Sequence, residues 1–229
     1  MKFVSILPFA LLLVAGTASA HVSITSGPAA ANKSQKITFG VGHGCDGADT
    51  VAIRVEIPTG VSSVRALASD FGKPAIEGTA AAVTAVSWRK PVSEVQDADV
   101  GYYELTIRAR VADVPFTKIY FRVSQTCRTA AGVESTVEWS ALPGGTGNEA
   151  AALVVVPARQ PGWNTYTLGA TASVLAADLP TYFGDAQIVW RGAEAYSSNP
   201  NTATMIGSTA GVTALTTDVA AGTQLWVKY

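Results

Sequence analysis

The central part of the chain alternates between apolar and polar residues with a period of two, which is typical of β-strands. The run from Val51 to Ile57 has aliphatic side chains at the odd positions and both of its charges on the other face, and it ends at 58–60. Tyr103 to Val111 and Lys118 to Ser124 repeat this pattern, with a turn at 113–115 between them. These patterns predict half-buried antiparallel strands.

Shorter stretches carry the same strand pattern and are separated by turn residues. They are Val22 to Thr25, Lys36 to Val41, Val83 to Arg89, Glu134 to Trp139 and Leu153 to Val156. Many short strands without a long helical pattern between them predict an all-β fold, a two-sheet sandwich of the immunoglobulin or fibronectin type. We expect this sandwich to extend over residues 21–158.

The pattern changes after 158–162, which resembles a linker before a small separate unit. Candidate strands there are Tyr166 to Thr171, Gln187 to Trp190 and Gln224 to Lys228. Asn199 as the cap, Pro200 at the first helical position and Gly211 at the end predict one helix. We therefore expect 163–229 to form a small mixed α/β module of unknown role that docks against the sandwich. Six aromatic residues are expected in its core, with a binding surface as the alternative: Trp163, Tyr166, Tyr182, Trp190, Tyr196 and Trp226.

The first twenty residues have the pattern of a secretory signal peptide. Lys2 gives a basic start, residues 3–14 are apolar, and residues 18–20 supply the small-residue cleavage pattern. The apolar stretch is shorter than a membrane-spanning helix requires, and no second stretch of about twenty residues follows, so we expect a soluble mature chain. Cleavage would make His21 the first residue.

Composition fits an exported globular protein and limits the classes of partner that it could bind. The chain has 16 basic and 17 acidic residues, and loss of Lys2 with the signal peptide leaves a mature net charge of about −2. This balance attracts neither nucleic acid nor anionic lipid. The two cysteines, Cys45 and Cys127, are expected to form a disulfide in an oxidising compartment, the alternative being a thiolate metal site. Closing so long a loop stabilises a fold by about 4 to 5 kcal/mol in the chain-entropy model.

An amino-terminal histidine offers a metal ion two nitrogens from one residue, the α-amine and the ring Nδ1. Together they close a chelate ring without help from the fold. Cu(II) prefers a tetragonal set of nitrogen and oxygen donors. Zinc more often recruits three or four His or Cys side chains, and this chain has two of each. Because an α-amine must lose its proton to bind a metal, affinity should fall on acidification.

Several segments resemble the YcnI-like family of bacterial copper-binding proteins. They are HVSITSGPAAANKSQKITFGV at the mature start, HGCDGADTVAIRVEIPTGV at 43–61, VSWRKP at 86–91, YYEL at 102–105 and VSQTC at 123–127. The resemblance covers about residues 21–158, and Cys45 and Cys127 match the family's cysteine pair. It implies an exported, cupredoxin-like or fibronectin-like β-sandwich that holds Cu(II) in a monohistidine brace. The implied role is copper buffering or trafficking, with another copper-trafficking protein as a partner.

The resemblance also implies which residues form the metal site. The amino-terminal histidine corresponds to His21, the glutamate to Glu104 in YYEL, and the tryptophan beside the metal to Trp139 in EWSALP. Ala141 departs from the family, in which an acidic residue is common at that position. The expected site is therefore His21 and Glu104 as ligands, with the Trp139 ring excluding water.

Each of these residues also has a structural interpretation. By strand alternation alone, Glu104 is a solvated carboxylate beside Arg108 or Arg110, which share its face. Trp139 is a core indole at the end of a strand. Trp88 is a rival for the role of Trp139, but it alternates with buried positions and fits the core better.

Two other functions remain open. One is a copper-dependent enzyme resembling the polysaccharide monooxygenases, in which a second histidine supplies a third nitrogen. His43 is the candidate, although we expect it to make a local hydrogen bond beside Cys45. A carboxylate ligand stabilises the oxidised ion, so we expect binding and no catalysis. The other is a surface interaction module that binds no metal and acts through 163–229. In each case the location is the periplasm or the extracellular space.

Overall fold

A computed structural model describes residues 21–229. The predicted signal peptide, residues 1–20, lies outside the described residues. Within residues 21–229, none of the helices has the length and apolar character needed to cross a membrane.

The sandwich region contains thirteen strands. They are β1 (Val22–Ile24), β2 (Ala29–Ala30), β3 (Ser34–Val41), β4 (Asp49–Glu56), β5 (Val61–Ala66), β6 (Ala75–Gly78), β7 (Val83–Arg89), β8 (Tyr103–Val111), β9 (Thr117–Phe121), β10 (Val123–Arg128), β11 (Glu134–Ala141), β12 (Asn148–Glu149) and β13 (Ala151–Val156). Two of these, β7 and β8, have the bounds that alternation predicts.

Three sheets are built from these strands. The first has the order β1-β3-β8-β5, the second β12-β11-β10-β4-β7-β6, and a small third sheet β2-β13-β9. Ile37 and Phe39 of β3 lie opposite Ile107 and Leu105 of β8, and all four are fully buried. The polar residues between them face solvent, so the first sheet has one core face and one wet face.

The core lies between the first and second sheets and confirms the predicted β-sandwich. Ile53, Val55 and Trp88 of the second sheet pack into one apolar cluster with the residues of the first. The Trp88 Nε1 donates to the Leu67 carbonyl at 2.9 Å, so Trp88 is a core residue, as its alternation predicts. Burying a side chain of this kind contributes about 1.5–3 kcal/mol.

The prediction of one strand from Lys118 to Ser124 is wrong. The chain leaves the strand conformation at Arg122, so β9 pairs with β13 in the third sheet whereas β10 pairs with β4 and β11 in the second. Phe121 and Val123 are both fully buried on either side of this break. Since both face the core, the apolar alternation continues across the change of sheet and conceals it.

Cys45 and Cys127 form the predicted disulfide. Their Cα atoms are 5.7 Å apart, and 82 residues of sequence separate them. The bridge joins the loop after β3 to the end of β10, and it therefore ties the two main sheets together at one end of the sandwich.

The last part of the chain forms a mixed α/β module. Its elements are β14 (Trp163–Thr167), α1 (Leu179–Phe183), β15 (Ile188–Arg191), β16 (Glu194–Tyr196), α2 (Pro200–Ser208), β17 (Thr213–Ala214) and β18 (Gln224–Lys228). The strand order is β14-β18-β15-β16-β17. Asn199 caps α2 as predicted, accepting from the Asn201 amide at 2.9 Å. The helix ends at Ser208, before the predicted Gly211, and β14 begins three residues earlier than expected.

This module shares its core with the sandwich. Phe116, in the turn between β8 and β9, packs against the rings of Tyr166, Tyr182 and Phe183 with centroid distances of 5.7, 5.7 and 5.8 Å. The inner face of the module's sheet contributes buried Leu225 and Val227 to the same cluster. The expected docking surface is thus an apolar core built around one aromatic residue of the sandwich.

The prediction that the module's aromatic residues form this core holds only in part. Tyr182 is buried, but 57% of Trp163 and 50% of Trp226 are exposed. Trp226 alternates with Leu225 and Val227, so it lies on the outer face of the sheet. Sequence alone does not show which face of a one-sided sheet is covered.

Candidate metal centre

Strand β1 places His21 at the edge of the first sheet. Val22 pairs with Val41 and Ser23 pairs with Gly40, and Val22 is buried whereas His21 and Ser23 are exposed. His21 therefore precedes the first ladder pair, at the edge of the sheet, and is exposed. A terminal residue in this position is accessible to an ion from solvent.

The Trp139 ring lies beside His21. The two ring centroids are 5.7 Å apart, with an angle of 52° between the planes. Only 3% of Trp139 is exposed, and its Nε1 donates to the Gln125 Oε1 at 3.0 Å. Trp139 is thus a core indole, and it also contacts the residue predicted to bind the metal.

Gln125 holds Trp139 in place through a buried network. Its Nε2 donates to the His43 carbonyl at 2.9 Å and to the Thr50 Oγ1 at 2.8 Å. The Thr50 hydroxyl in turn lies 4.0 Å from the Cys127 Sγ. A continuous set of contacts therefore connects the disulfide to the ring beside His21.

Glu104 lies on the outer face of the first sheet. It pairs with Gly40, which pairs with Ser23, so these three residues form one row across β8, β3 and β1. The Glu104 carboxylate is exposed and accepts from the Thr25 Oγ1 at 3.2 Å. Arg110, one of its expected neighbours, donates to Asn32.

The structure places His21 and Glu104 apart, because the His21 ring lies beside Trp139 of the second sheet whereas the Glu104 carboxylate lies on the outer face of the first sheet. Because β3 lies between β1 and β8, and His21 is two residues ahead of Ser23, the two Cα atoms are about 12 Å apart in a flat sheet. To share one ion, His21 must turn toward β3, and Glu104 must offer an oxygen toward it. The Thr25 hydroxyl bonds to the Glu104 Oε1 and leaves the Oε2 free of that bond.

Tyr102 and Gly40 belong to this surface and were missed by sequence analysis. A Cβ atom at Gly40 would lie 2.5 Å from the Tyr102 hydroxyl and 2.5 Å from the Thr25 Cγ2. The Tyr102 ring and Thr25 therefore occupy the space above Gly40, between the Ser23 and Glu104 positions. Only glycine, which has no Cβ atom, leaves room for these two side chains at position 40.

A buried ion cluster lies beneath this face. The Lys90 Nζ donates to both Asp49 oxygens at 2.9 and 2.7 Å, and the Tyr103 hydroxyl donates to Asp49 at 2.6 Å. Tyr103 is in the row of Val41 and Val22, directly inside the end of β1 that carries His21. The cluster is therefore part of the rigid support of the site.

The cluster shifts the acidity of its members. Burial raises the pKa of the Asp49 carboxyl, but hydrogen bonds from the Gln96 amide, Lys90 and Tyr103 outweigh burial, and the net pKa lies below its ordinary value. Burial, and then the hydrogen bond to Asp49, raise the pKa of the Tyr103 hydroxyl. Asp49 is thus an ion and Tyr103 is neutral at physiological pH.

His43 makes the expected local contact. Its Nδ1 lies 3.0 Å from the Gly44 carbonyl and 3.7 Å from the Asp99 Oδ2. Among the described residues, the His43 Nε2 and Asp99 Oδ1 are buried without a hydrogen-bond partner. The His43 Nδ1 therefore faces the Gly44 and Asp99 oxygens.

Over residues 21–229, no three His, Cys, Asp or Glu side chains are grouped so that they could hold a metal ion. A site at this face must therefore draw on the backbone amine of His21 in addition to side chains. The set of an amine, an imidazole and the Glu104 carboxylate fits Cu(II) better than it fits zinc.

Two of the supporting residues were missed although their positions carry a signal. Gln125 has the same strand parity as buried Val123 and Cys127, and Lys90 has the same parity as buried Trp88. A polar residue at a core position needs a buried partner. That rule singles out both residues, but it does not name the partner.

Comparison with known proteins identifies the family of the sandwich. A family model described as a domain of unknown function, DUF1775, matches residues 21–160. YcnI-like and DUF1775 are names for the same family, so the resemblance found in the motifs is confirmed at the level of the family. A search of curated proteins found no match.

Solved structures with similar folds have low sequence identity to this chain. An uncharacterized protein from Nocardia farcinica, described as having an immunoglobulin-like fold, is 21% identical with a TM-score of 0.47, covering 60% of this chain and 99% of that one. The major pilin subunit of Bacillus cereus is 11% identical with a TM-score of 0.38, covering 67% of this chain and 44% of that one. The assignment of a β-sandwich rests on the sheet topology described above.

Proposed function

The chain belongs to the DUF1775 family, and we propose that its processed form is an exported protein that binds Cu(II) at the amino terminus. The observation that carries the proposal is the contact of the His21 ring with buried Trp139. An exposed, chelating first residue beside an indole held by Gln125 is an arrangement that a merely structural strand end does not need.

His21, Glu104 and Trp139 have different roles in the proposed site. His21 supplies its α-amine and its Nδ1 as ligands, and Glu104 supplies an oxygen and a negative charge. Trp139 shields one side of the ion from water and competing ligands. Because a carboxylate favours the divalent ion, the protein stores or passes on Cu(II) and does not turn over a substrate. The site of action is the periplasm or the extracellular space, where the disulfide is stable.

The test compares chains that differ only in their first residues. Cu(II) is titrated into protein that begins at His21 and into protein that retains residues 16–20 ahead of it, with binding followed by calorimetry and electron paramagnetic resonance. We expect the extended chain to lose most of its affinity, since its α-amine is far from the His21 ring. Extensions of one or two residues are avoided because an amine that close to a histidine forms a new chelate.

Two variants identify the remaining donors. Glu104→Gln should weaken Cu(II) binding and change the resonance spectrum, whereas His43→Ala should leave both unchanged. Equal affinity of the processed and extended chains would refute the proposal. A spectrum that depends on His43 would instead favour the enzyme alternative, in which a second histidine is a ligand.

A further inference from the structure

Three tryptophans cluster on the outer face of the carboxy-terminal sheet. Trp226 of β18 lies directly opposite Trp190 of β15, and Trp163 of β14 is its diagonal neighbour on the other side. Together with Gly192, in the turn after β15, they line an open cleft of about 490 Å³. We call these three residues the tryptophan face.

The tryptophan face is not used by the fold. The alternating residues Leu225 and Val227 of β18 point to the opposite side and fill the core shared with the sandwich. Helix α2 packs against β16 and β17, at the other end of the sheet. Exposed indoles gathered at one place, on a sheet whose other side is already buried, indicate a binding surface.

The charge of the module does not favour anionic ligands. Residues 163–229 contain two basic and four acidic residues, a net charge of −2. Arg191, next to Trp190, donates to the Glu194 carboxylate at 2.6 Å. Lys228, opposite Trp163, is the charged residue on the face itself, and a single lysine does not make a site for phosphate groups or acidic polymers, so we take the ligand to be neutral.

The polar groups of the face point to the shape of that ligand. The backbone of β18 is paired on both sides, so an extended peptide finds no free main-chain groups there. The face presents polar side chains instead. Thr165 lies opposite Trp226, and Gln224 and Lys228 lie on the same face, two residues before and after Trp226. Flat apolar rings next to hydroxyl and amide groups match a molecule with apolar faces and polar edges.

A pyranose ring has this form, because its C–H groups make a flat face and its hydroxyl groups project from the edge. We infer that the tryptophan face binds a neutral polysaccharide, with sugar rings stacked on the indoles and their hydroxyls bonded to Thr165 and Gln224. The three indoles extend over three strands, so the site accepts several sugar units. This inference is independent of the proposed copper binding at the amino terminus.

The experiment uses the mature chain, residues 21–229, and three insoluble polymers: cellulose, chitin and mannan. Sedimentation of the polymer measures how much protein it retains. We expect retention on at least one polymer, and Trp163→Ala and Trp226→Ala should each weaken it about tenfold, as expected for a central aromatic contact. Trp226→Tyr should retain part of the affinity. Soluble oligosaccharide of the same polymer should shift tryptophan fluorescence in the wild type.

Met205→Ala is the matched control, because Met205 is an exposed apolar residue of α2 away from the tryptophan face. It should bind like the wild type. Thermal unfolding checks that each variant is folded. The inference is overturned if none of the three polymers retains the wild type, or if the double variant W163A/W226A is retained equally. Tryptophan-dependent binding to phosphatidylcholine vesicles alone, or dimerisation lost in the double variant, also overturns it.

Discussion

Trp139 serves both the core and the candidate metal site, and two substitutions separate these roles. Trp139→Phe keeps an aromatic ring but removes the donor to the Gln125 Oε1, so the free energy of unfolding should fall by about 1–3 kcal/mol. Cu(II) affinity should change little. Trp139→Leu should lower both stability and affinity, and Cu(II) titration with urea unfolding measures the two effects. Unchanged affinity in Trp139→Leu would contradict the role of the ring.

In the proposed site, the Thr25 hydroxyl competes with the ion for one of the two Glu104 carboxylate oxygens. Thr25→Val removes the competing hydroxyl at nearly constant volume. A hydrogen bond of about 0.5–1.5 kcal/mol corresponds to a two- to tenfold effect, so Cu(II) affinity should rise by about that factor. Glu104→Gln should lower it, and in the double variant Thr25→Val should have no further effect. Affinity that falls in Thr25→Val would contradict this competition and show that Thr25 instead orients Glu104.

Asp49 makes stability depend on pH in the acid range. Its pKa in the folded protein lies below the ordinary value of 3.8, so its contribution is present above that pH and is lost as pH falls through the folded pKa. At pH 7, Asp49→Asn should cost about 3–5 kcal/mol because Lys90 stays buried without its partner. The difference from wild type should narrow below pH 4 in urea unfolding. Exposed Asp70→Asn is the control and should show neither effect.

At the scale of elements, β3 offers a paired test of the face above Gly40. Gly40→Ala places a Cβ 2.5 Å from Thr25 and Tyr102 side-chain atoms, which must move, whereas Gly42→Ala meets open space. We expect Gly40→Ala to change Cu(II) affinity because it displaces Thr25 and Tyr102 beside Glu104, and Gly42→Ala to leave it unchanged, with similar melting temperatures. Equal affinities in the two variants would show that this face takes no part in binding.

Strand alternation predicted the sandwich because each main sheet has one buried and one wet face. The bounds of β7, β8 and β18 follow from it directly. Short strands such as β2 and β12, two residues each, were not predicted because two residues show no period. The break at Arg122 was missed because both flanking residues are buried, and alternation does not report which sheet a strand joins.

Sequence analysis named the residues of the candidate site but not their geometry. The prediction that His21 chelates a metal follows from its chemistry, and the family motifs supplied Glu104 and Trp139. The bond from Thr25 to Glu104 and the position of Tyr102 depend on the register of β1, β3 and β8. Register is a long-range property, so local sequence does not contain it.

At the scale of the whole molecule, Phe116 joins the two parts of the chain. Its φ of 61° lies in the left-handed region, which costs a bulky residue about 1–3 kcal/mol, and packing in the module's core offsets that cost. Phe116→Asn should therefore destabilise the full chain by about 3–5 kcal/mol. In a chain ending at residue 160 the sign should reverse, because the ring is then exposed and Asn tolerates this φ. Thermal unfolding of the four proteins tests this reversal.

The contacts from Cys127 through Thr50 and Gln125 to Trp139 imply an order of maturation. We expect a newly translocated polypeptide whose thiols are still reduced to have a looser support behind its first imidazole. We expect it to capture cupric ions poorly until an oxidase has closed the bridge. Removal of the leader and oxidation of the thiols would then be two successive requirements for copper loading, so that copper is bound only after the protein has been exported.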